Sequence, residues 1–310
     1  MRALLIDHNA PNHLRLGDAP DPVPGPAQAL IQIAGISLNR GEVAFRAPAA
    51  PEGSVLGWDA SGIVVAPAVD GSGPATGTPV LTVDEGGGGW AELRGVDTAY
   101  LTLVPDGFDL AAFAALPVAG LSALRALRSL GKVEGRRILI TGASGGVGRL
   151  AVQLGARAEA EVIAVASRER HQELITLGAR VAVTRPSEVD EPVFAVIDMV
   201  GGAFLPESYR VLQDHGGTLV SVGHAAATPE VFEIGDMQGK SRAIRSFYLF
   251  ADTTGIAEDL AQLVALMAEG SLDPQIAWRG PWTKYDEAVQ LLLDRRLHGK
   301  AVLELDMSSG

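Results

Sequence analysis

A glycine-rich segment near the middle of the chain constrains the fold more than any other feature. The apolar run Ile138–Ile140 precedes Gly142, Gly145 and Gly148, which have G-x-x-G-x-x-G spacing and lead into a helix-type sequence. Glycines allow the backbone to approach a diphosphate closely, and the start of a helix offers free N–H groups and a partial positive charge. The segment therefore predicts a strand–loop–helix unit that binds a diphosphate.

Strand and helix patterns alternate from Arg136 to about residue 222. The runs EVIAVAS, FAVIDMV and GTLVSVG predict strands, and the segments between them predict helices. Such alternation is typical of a parallel sheet covered by helices on both faces. The first 110 residues instead contain short apolar runs bounded by Gly and Pro, which predict a β-rich domain. We therefore expect an α/β protein of two domains, although the length also allows one large domain.

Composition limits the class of protein. The 310 residues are 47% hydrophobic and 20% charged, which favours a sizeable core over long disorder. The formal net charge of −12 makes nucleic acid a poor partner. The absence of cysteine excludes disulfides, a thiol nucleophile and thiolate zinc ligands. No apolar run reaches the ~18 residues of a membrane helix, and the N-terminus does not resemble a signal peptide, so a cytoplasmic protein is expected.

The end of the second strand of this α/β region indicates the type of dinucleotide. A site that prefers NAD usually places Asp or Glu there, to bind the ribose 2′-hydroxyl. In this chain the strand ends in Ser167 and Arg168, with Glu169 following. A hydroxyl and a guanidinium suit a 2′-phosphate, which favours NADP(H). The alternative is an arginine that is solvated at the start of a helix.

The same glycine-rich loop permits a second interpretation. Residues Gly142 to Gly146 also spell G-x-S-x-G, the nucleophile elbow of α/β-hydrolases, with Ser144 as the nucleophile. The run Gly86–Gly89 could act as an oxyanion loop. This alternative leaves Gly148 and Arg168 unexplained and is the weaker one. Residues that could complete its triad are Asp198, His215, His224 and His298.

Seven motifs extend over nearly the whole chain, each modest alone but specific in their order and spacing. They are Ser37-Leu-Asn39 with Glu42; Gly57-Trp58-Asp59-Ala-Ser61-Gly62; Gly89-Trp-Ala91-Glu92; Ala114-Ala-Leu-Pro117-Val-Ala-Gly120-Leu-Ser122-Ala; the glycine-rich loop; Asp198-Met-Val200-Gly201-Gly202; and Gly299-Lys300-Ala-Val. Together they resemble the medium-chain dehydrogenase/reductase superfamily, and within it the zinc-free, quinone-oxidoreductase-like branch.

The resemblance implies a fold and an activity. A GroES-like β-barrel domain would comprise residues 1–112 and 271–310, and a Rossmann domain would comprise residues 113–270. The implied reaction is hydride transfer from NADPH to a small-molecule quinone or α,β-unsaturated carbonyl. The resemblance also implies a homodimer, in which the segment SFYLF at residues 246–250 pairs with its copy. From the residues alone, this segment predicts a core strand.

The resemblance also assigns site residues. Asn39 and Arg46 would orient the substrate, alongside Glu42. Their alternatives are structural: Asn39 as a turn residue, and Glu42, Arg46 and Asp59 as an ion network. His224 could equally be a loop residue bonded to the backbone. The implied contacts with the diphosphate are Ser144, Gly145, Gly146, Val147 and Gly148. The implied cofactor contacts outside the glycine-rich loop are Ser122, Ser167, Arg168, Val200, Gly223, His224, Phe247, Leu249 and Lys300.

Two departures from relatives narrow the chemistry. The zinc-dependent branch has an early Cys, and a His-Glu pair where this chain has Trp58 and Asp59, so no metal is expected. Several relatives have a Tyr about a dozen residues after the position of Asn39, but Ala47–Pro51 contains none. A Tyr-assisted enoyl reduction is therefore not expected. Two further alternatives stay open: a biosynthetic enoyl reductase or cyclase for a bulky substrate, and a non-catalytic NADPH-binding protein.

Overall fold

The chain divides into two compact units. A computed structural model describes residues 1–307. One unit comprises Met1–Leu121 and Thr253–Gly310, and the other comprises Ser122–Asp252. The sequence-based boundaries, after residues 112 and 270, fall nine residues earlier and eighteen residues later than these.

The regular elements are numbered in chain order. The strands are β1 (Arg2–Ile6), β2 (Leu14–Asp18), β3 (Gln28–Ser37), β4 (Asp59–Ala66), β5 (Pro79–Val83), β6 (Leu93–Asp97), β7 (Leu101–Leu103), β8 (Arg137–Thr141), β9 (Glu161–Val165), β10 (Val181–Val183), β11 (Ala195–Asp198), β12 (His215–Ser221), β13 (Ser241–Ser246), β14 (Ile276–Pro281) and β15 (Lys300–Glu304). The α-helices are α1 (Leu110–Phe113), α2 (Pro117–Ser129), α3 (Gly146–Arg157), α4 (His171–Thr176), α5 (Phe204–Arg210), α6 (Ile256–Ala268) and α7 (Tyr285–Leu293).

The unit Ser122–Asp252 contains a six-stranded parallel sheet in the order β10-β9-β8-β11-β12-β13. Numbered within the unit, this is 3-2-1-4-5-6, the order of the Rossmann fold. The central strands are apolar on both faces, as in Ile138–Ile140, because helices cover both sides of such a sheet. The predicted doubly wound parallel sheet is confirmed. Its order reverses between β8 and β11, where open α/β sheets bind ligands.

The other unit is built on a seven-stranded sheet in the order β14-β15-β3-β4-β5-β7, with β6 also pairing with β3. All its pairs are antiparallel except β14 with β15. The hairpin β1–β2 forms a separate two-stranded sheet. Ile31, Ile36, Trp90 and Leu303 lie in one fully buried core. The β-rich expectation for the first 110 residues is confirmed, and β15 shows that the end of the chain completes the same sheet.

Helix α6 lies in the β-rich unit, whereas the sequence-based boundary placed it in the Rossmann domain. It packs against β7 of the β-rich unit. A Cβ at Gly120 would lie 2.8 Å from Leu263 Cδ1, so glycine allows this helix to pack closely. The other boundary falls within α2, which begins in one unit and ends in the other. Neither boundary coincides with a change in composition.

The segment SFYLF differs from its prediction. β13 ends at Ser246, and Leu249–Ala251 forms a turn of 3-10 helix. Leu249 is buried, but Tyr248 is 52% exposed. The prediction of a core strand over this segment was wrong, because its apolar residues leave the sheet after Ser246 instead of alternating across it.

Within residues 1–307, every helix is too short or too polar to cross a bilayer.

Candidate functional site

The glycine-rich loop joins β8 to α3. Gly142 has φ +62°, a conformation that favours glycine, and its carbonyl accepts a hydrogen bond from Gly145 N–H at 3.0 Å. The N–H of Ala143 donates to the carbonyl of Val165 at 3.1 Å. The loop is therefore held at the carboxyl ends of two adjacent strands, β8 and β9.

Gly148 allows α3 to lie directly against this loop. A Cβ on Gly148 would lie 2.2 Å from the Gly142 carbonyl oxygen and 2.6 Å from Ala143 Cα. No side chain caps the start of α3 at Gly145, so the first N–H groups of the helix remain available. Backbone donors at an uncapped helix start, behind a glycine-rich loop with only small side chains, fit a diphosphate.

Residues predicted to contact the 2′-phosphate follow β9. Ser167 and Arg168 are both exposed. The Ser167 hydroxyl donates to Glu169 Oε1 at 2.7 Å, so the neighbouring acid already uses it. Within residues 1–307, the guanidinium of Arg168 forms no hydrogen bond or ion pair, although its charge helps to lower the pKa of the Glu188 carboxyl.

A buried arginine lies beside the loop. Arg149 is only 6% exposed, although it is the fourth residue of α3. Its Nε donates to the carbonyl of Ser144 at 3.1 Å, and its Nη2 donates to Glu173 Oε2. Glu173 also accepts a hydrogen bond from Arg170 Nη1 at 3.0 Å. The loop and the start of α4 are therefore connected through side chains, which the sequence analysis missed.

Asp198 organises the carboxyl ends of three strands. Its carboxylate accepts hydrogen bonds from Thr141 Oγ1 on β8 at 2.5 Å and from Gly201 N–H at 2.9 Å. Its carbonyl accepts the N–H of Val222, after β12, at 2.7 Å. Burial raises the pKa of Asp198, and the Thr141 hydroxyl opposes that shift. The carboxylate thereby fixes the edge of the sheet at which the order reverses.

Three predicted cofactor residues come together at this edge. A Cβ at Gly223 would lie 3.0 Å from the carbonyl oxygen of Met199, and Ala226 N–H donates to the Val200 carbonyl at 2.8 Å. His224 Nδ1 lies 2.9 Å from Glu230 Oε1. Val200, Gly223 and His224 therefore belong to one group of loops, in which the ring of His224 pairs with an acid.

Three further residues that were predicted to contact the cofactor are Ser122, Phe247 and Leu249. Ser122 and Leu249 are buried, and Phe247 N–H donates to the carbonyl of Ser221 at 2.9 Å. Their contacts with a cofactor, like those of the loop, stay predictions.

A buried polar cluster in the β-rich unit contains Asn39, Glu42, Asp59 and Lys300. The side-chain nitrogen of Asn39 donates to Glu42 Oε2 and to Asp59 Oδ2, both at 2.8 Å. Lys300 Nζ donates to Asn39 Oδ1 at 2.7 Å and lies 3.5 Å from Asp59 Oδ2. Both amide hydrogens of Asn39 are thus used internally, so it can donate to a substrate only by releasing a carboxylate.

The buried surroundings of this cluster shift the pKa values of its ionisable side chains. Burial and, to a lesser degree, the Asp59 carboxylate raise the pKa of Glu42 to about 8. Burial also raises the pKa of Asp59, against the effect of Lys300, and lowers the pKa of Lys300. A second buried cation, Arg94, donates to the carbonyl of Trp58 at 3.1 Å. The cluster therefore combines two acids with two bases inside the core.

The structural alternative for the acids is partly correct. Glu42 and Asp59 do share one network, but its cation is Lys300, because Arg46 is exposed and forms no ion pair within residues 1–307. Lys300, assigned to the cofactor by resemblance, is only 3% exposed, and its Nζ also donates to the Leu38 carbonyl at 3.1 Å. The substrate-orienting role of Arg46 stays a prediction.

The donor set of this cluster does not fit a zinc ion. Asp59 already accepts hydrogen bonds from Asn39 and from Val118 N–H, and an ammonium lies beside it. Zinc requires several free nitrogen, sulfur or carboxylate ligands around one point. Across residues 1–307, no group of three His, Asp or Glu side chains is placed to hold a metal ion.

The hydrolase alternative lacks its triad. The hydroxyl of Ser144 makes no hydrogen bond within residues 1–307, whereas a serine nucleophile requires a histidine base. His224 pairs with Glu230, and Asp198 is bonded to Thr141 and to backbone N–H groups. The candidate acid and base are therefore used elsewhere.

Comparison with known proteins gives matches along the whole chain. The profile described as "Zinc-binding dehydrogenase" matches residues 178–303. The pikromycin polyketide synthase component PikAII of Streptomyces venezuelae is 29% identical over 303 residues, which is 93% of this chain. The chain spans only 8% of the length of that protein.

Solved structures match over their full length. The quinone oxidoreductase of Coxiella burnetii is 28% identical, with a TM-score of 0.85 and 99% coverage of both chains. The quinone oxidoreductase of Escherichia coli complexed with NADPH has a TM-score of 0.87 at 20% identity, covering 98% of this chain and 100% of its own. At that identity the second likeness shows the fold alone. The predicted combination of a GroES-like domain and a Rossmann domain is confirmed. The chain belongs to the medium-chain dehydrogenase/reductase superfamily, with quinone oxidoreductases among its relatives and structural neighbours.

Proposed function

We propose that this chain is an NADPH-dependent, zinc-independent oxidoreductase that reduces a small quinone or α,β-unsaturated carbonyl. The observation that carries the proposal is the glycine-rich loop, where a Cβ on Gly148 would lie 2.2 Å from the Gly142 carbonyl and α3 begins without a side-chain cap. The quinone oxidoreductases among its structural neighbours, one of them complexed with NADPH, support the same conclusion.

The preference for NADPH rests on Arg168. Its guanidinium is exposed and unpaired within residues 1–307, directly after the second strand of the Rossmann sheet. Arginine binds phosphate through charge-assisted, often bidentate hydrogen bonds. Glu169 opposes this preference, since it already accepts the Ser167 hydroxyl. We assign the 2′-phosphate to Arg168 and expect Ser167 to leave Glu169 when the phosphate binds.

The chemistry places modest demands on the protein. NADPH supplies a hydride when bound. The loop and α3 hold the diphosphate, and Arg168 holds the phosphorylated ribose, so that positioning accounts for much of the acceleration. A conjugated carbonyl or quinone develops negative charge on oxygen, which a donor such as Arg46 stabilises. Water supplies the proton that completes the reduction.

Titration of both dinucleotides tests the cofactor assignment. We expect the wild type to bind NADPH more tightly than NADH. Arg168→Ala should lower the affinity for NADPH about tenfold or more, with little effect on the affinity for NADH. Arg180→Ala is a control, because Arg180 is exposed and pairs with Glu161 at the start of β9, whereas Ser167 and Arg168 follow the end of that strand. Equal losses of affinity for NADPH and for NADH in Arg168→Ala would contradict the assignment. A wild type that binds neither dinucleotide would contradict the proposed function.

Turnover tests the enzymatic part. NADPH oxidation is followed at 340 nm with a panel of quinones and enones. Binding without turnover of any acceptor would favour the non-catalytic alternative.

The match to a polyketide synthase component favours a second candidate, an enoyl reductase or cyclase for a bulky biosynthetic intermediate. Ala47–Pro51 contains no Tyr to donate a proton, so a reductase of this kind would protonate its product differently. Reduction of a crotonyl thioester, compared with reduction of a quinone, separates the two candidates.

A further inference from the structure

We propose that Arg149 is a positioning residue which, through Glu173, fixes the diphosphate loop relative to the ribose-binding end of the site. The inference rests on the proposed binding of a dinucleotide and concerns how this chain shapes that site. Arg149 follows the last glycine of the loop and does not need to touch the ligand.

The contacts of Arg149 link two separate segments. Its Nε donates to the carbonyl of Ser144 within the loop at 3.1 Å, and its Nη2 donates to Glu173 on α4. Glu173 also binds Arg170, which lies two residues after Arg168. One chain of side chains therefore runs from the diphosphate loop to the segment that carries Ser167 and Arg168.

The location of this arginine is unfavourable unless its charge and its donors are satisfied locally. A cation in the first turn of a helix opposes the helix dipole, which favours anions there. Burying a guanidinium also costs free energy unless its donors are satisfied. Here the Ser144 carbonyl and the Glu173 carboxylate satisfy it, and the Arg149 and Arg170 bonds lower the pKa of Glu173. The result is an ion pair whose partners belong to different parts of the cofactor site.

Two physical roles are possible for such an arginine, and they predict opposite results. If Arg149 acted only through its charge, removing the Glu173 carboxylate would strengthen the binding of an anionic dinucleotide. If Arg149 acts by holding the loop through Glu173, removing that carboxylate weakens binding. The geometry points to the second role, since the guanidinium is bonded to the loop carbonyl and to the acid at once.

The first experiment measures the ligand-free protein. Amide hydrogen exchange at Gly146–Gly148 should be about tenfold faster in Arg149→Met than in the wild type, because the loop loses its tie to α4. Arg157→Met is the matched control, since it removes the same charge from an exposed position in the last turn of α3. Unchanged exchange in Arg149→Met would overturn the proposal, whether or not the protein binds a dinucleotide.

The second experiment measures dissociation constants by titration. Arg149→Met and Glu173→Met should each raise the dissociation constant of NADPH about tenfold. The double variant should bind NADPH no more weakly than Arg149→Met alone. In these variants the affinities for NADPH and for NADH should fall by the same factor, whereas Arg168→Ala should lower mainly the affinity for NADPH. Tighter NADPH binding by Glu173→Met, or additive losses in the double variant, would overturn the proposal.

The exchange and titration measurements distinguish a failure of dinucleotide binding from a failure of the role of Arg149. If the wild type binds neither dinucleotide, the proposed function fails while the exchange result still decides the role of Arg149. If Arg149→Met does not fold, Glu173→Met carries both measurements, because the Glu173 side chain is 44% exposed. Arg149→Lys should recover part of the NADPH affinity, since its ammonium can satisfy one of the two partners.

Discussion

At the scale of single residues, the buried cluster of the β-rich unit is the least ordinary feature of this chain. Glu42 and Asp59 are fully buried, and the Asn39 amide donates to both. Buried acids are stable only with charge compensation or protonation. Lys300 and Arg94 provide compensation, so the charge state of the cluster depends on pH.

Glu42→Gln should flatten the pH dependence of stability. The folded chain holds the proton of Glu42 up to about pH 8, whereas an unfolded chain releases it near the ordinary value of 4.5. Between these values the folded state binds more protons, so the free energy of unfolding falls as pH rises, by at most ~1.4 kcal/mol per unit. The slope should decrease in the variant across this window.

Fluorescence makes this measurement specific to one unit. All four tryptophans, Trp58, Trp90, Trp278 and Trp282, lie in the β-rich unit. Urea unfolding followed by their emission at several pH values therefore reports on the cluster's own surroundings. Glu269→Gln, an exposed carboxylate on the same unit, is the control. A slope in Glu42→Gln equal to that of the wild type would contradict the prediction.

Lys300→Met should destabilise the same unit strongly. It removes the cation beside Asp59 and leaves the Asn39 and Leu38 oxygens without their donor. Breaking a buried pair on one side typically costs about 3–5 kcal/mol. Adding Asp59→Asn should recover part of this loss of stability, because the Asp59 carboxylate is then no longer buried without the Lys300 ammonium beside it. A single variant as stable as the wild type in urea would show that the ammonium is dispensable.

At the scale of elements, the strand–loop–helix unit depends on close packing at one glycine. Gly148→Ala would place a Cβ 2.2 Å from the Gly142 carbonyl, whereas Gly145→Ala would place one 3.4 Å away. Overpacking of this kind costs about 1–3 kcal/mol, or more against rigid backbone. We expect Gly148→Ala to lower the melting temperature measured by circular dichroism, while Gly145→Ala melts like the wild type. Equal melting of both variants would contradict the packing argument.

Sequence patterns predicted the strands and the glycine-rich loop better than they predicted the contacts between side chains. Apolar runs such as Ile138–Ile140 identify buried parallel strands, and glycine spacing identifies the loop, because both signals are local. The bonds of Lys300 to Asn39 and Asp59 span 261 and 241 residues, beyond any local pattern. Arg149 did carry a signal, since a cation in a first helical turn conflicts with the dipole, but its burial depends on Glu173.

At the scale of the whole molecule, we propose a homodimer formed through β13. Among residues 1–307, β13 pairs only with β12, so its other edge is open. Ile244 on that strand is 41% exposed and Tyr248 after it is 52% exposed. An open edge strand with exposed apolar side chains favours pairing with another copy.

Light scattering after size exclusion tests the dimer. Ile244→Lys should convert a dimer into a monomer, because a charge at the edge opposes strand pairing. Val181→Lys is the matched control, since Val181 lies on β10, the opposite edge of the same sheet, and is also 41% exposed. A monomeric wild type, or a dimer that survives Ile244→Lys, would contradict the proposal.

The bonds of Asp198 also affect how such a protein can diversify. The Asp198 carboxylate accepts hydrogen bonds from the Thr141 hydroxyl on β8 and from Gly201 N–H, and the Asp198 backbone carbonyl accepts one from Val222 N–H after β12. Losing Asp198 leaves the buried Thr141 hydroxyl without its acceptor and the Gly201 N–H without its carboxylate partner, so a change at this position is costly. Loops beyond them are not bound by this constraint. New acceptor preferences would therefore arise by exchange of loop residues around an unchanged Thr–Asp pair.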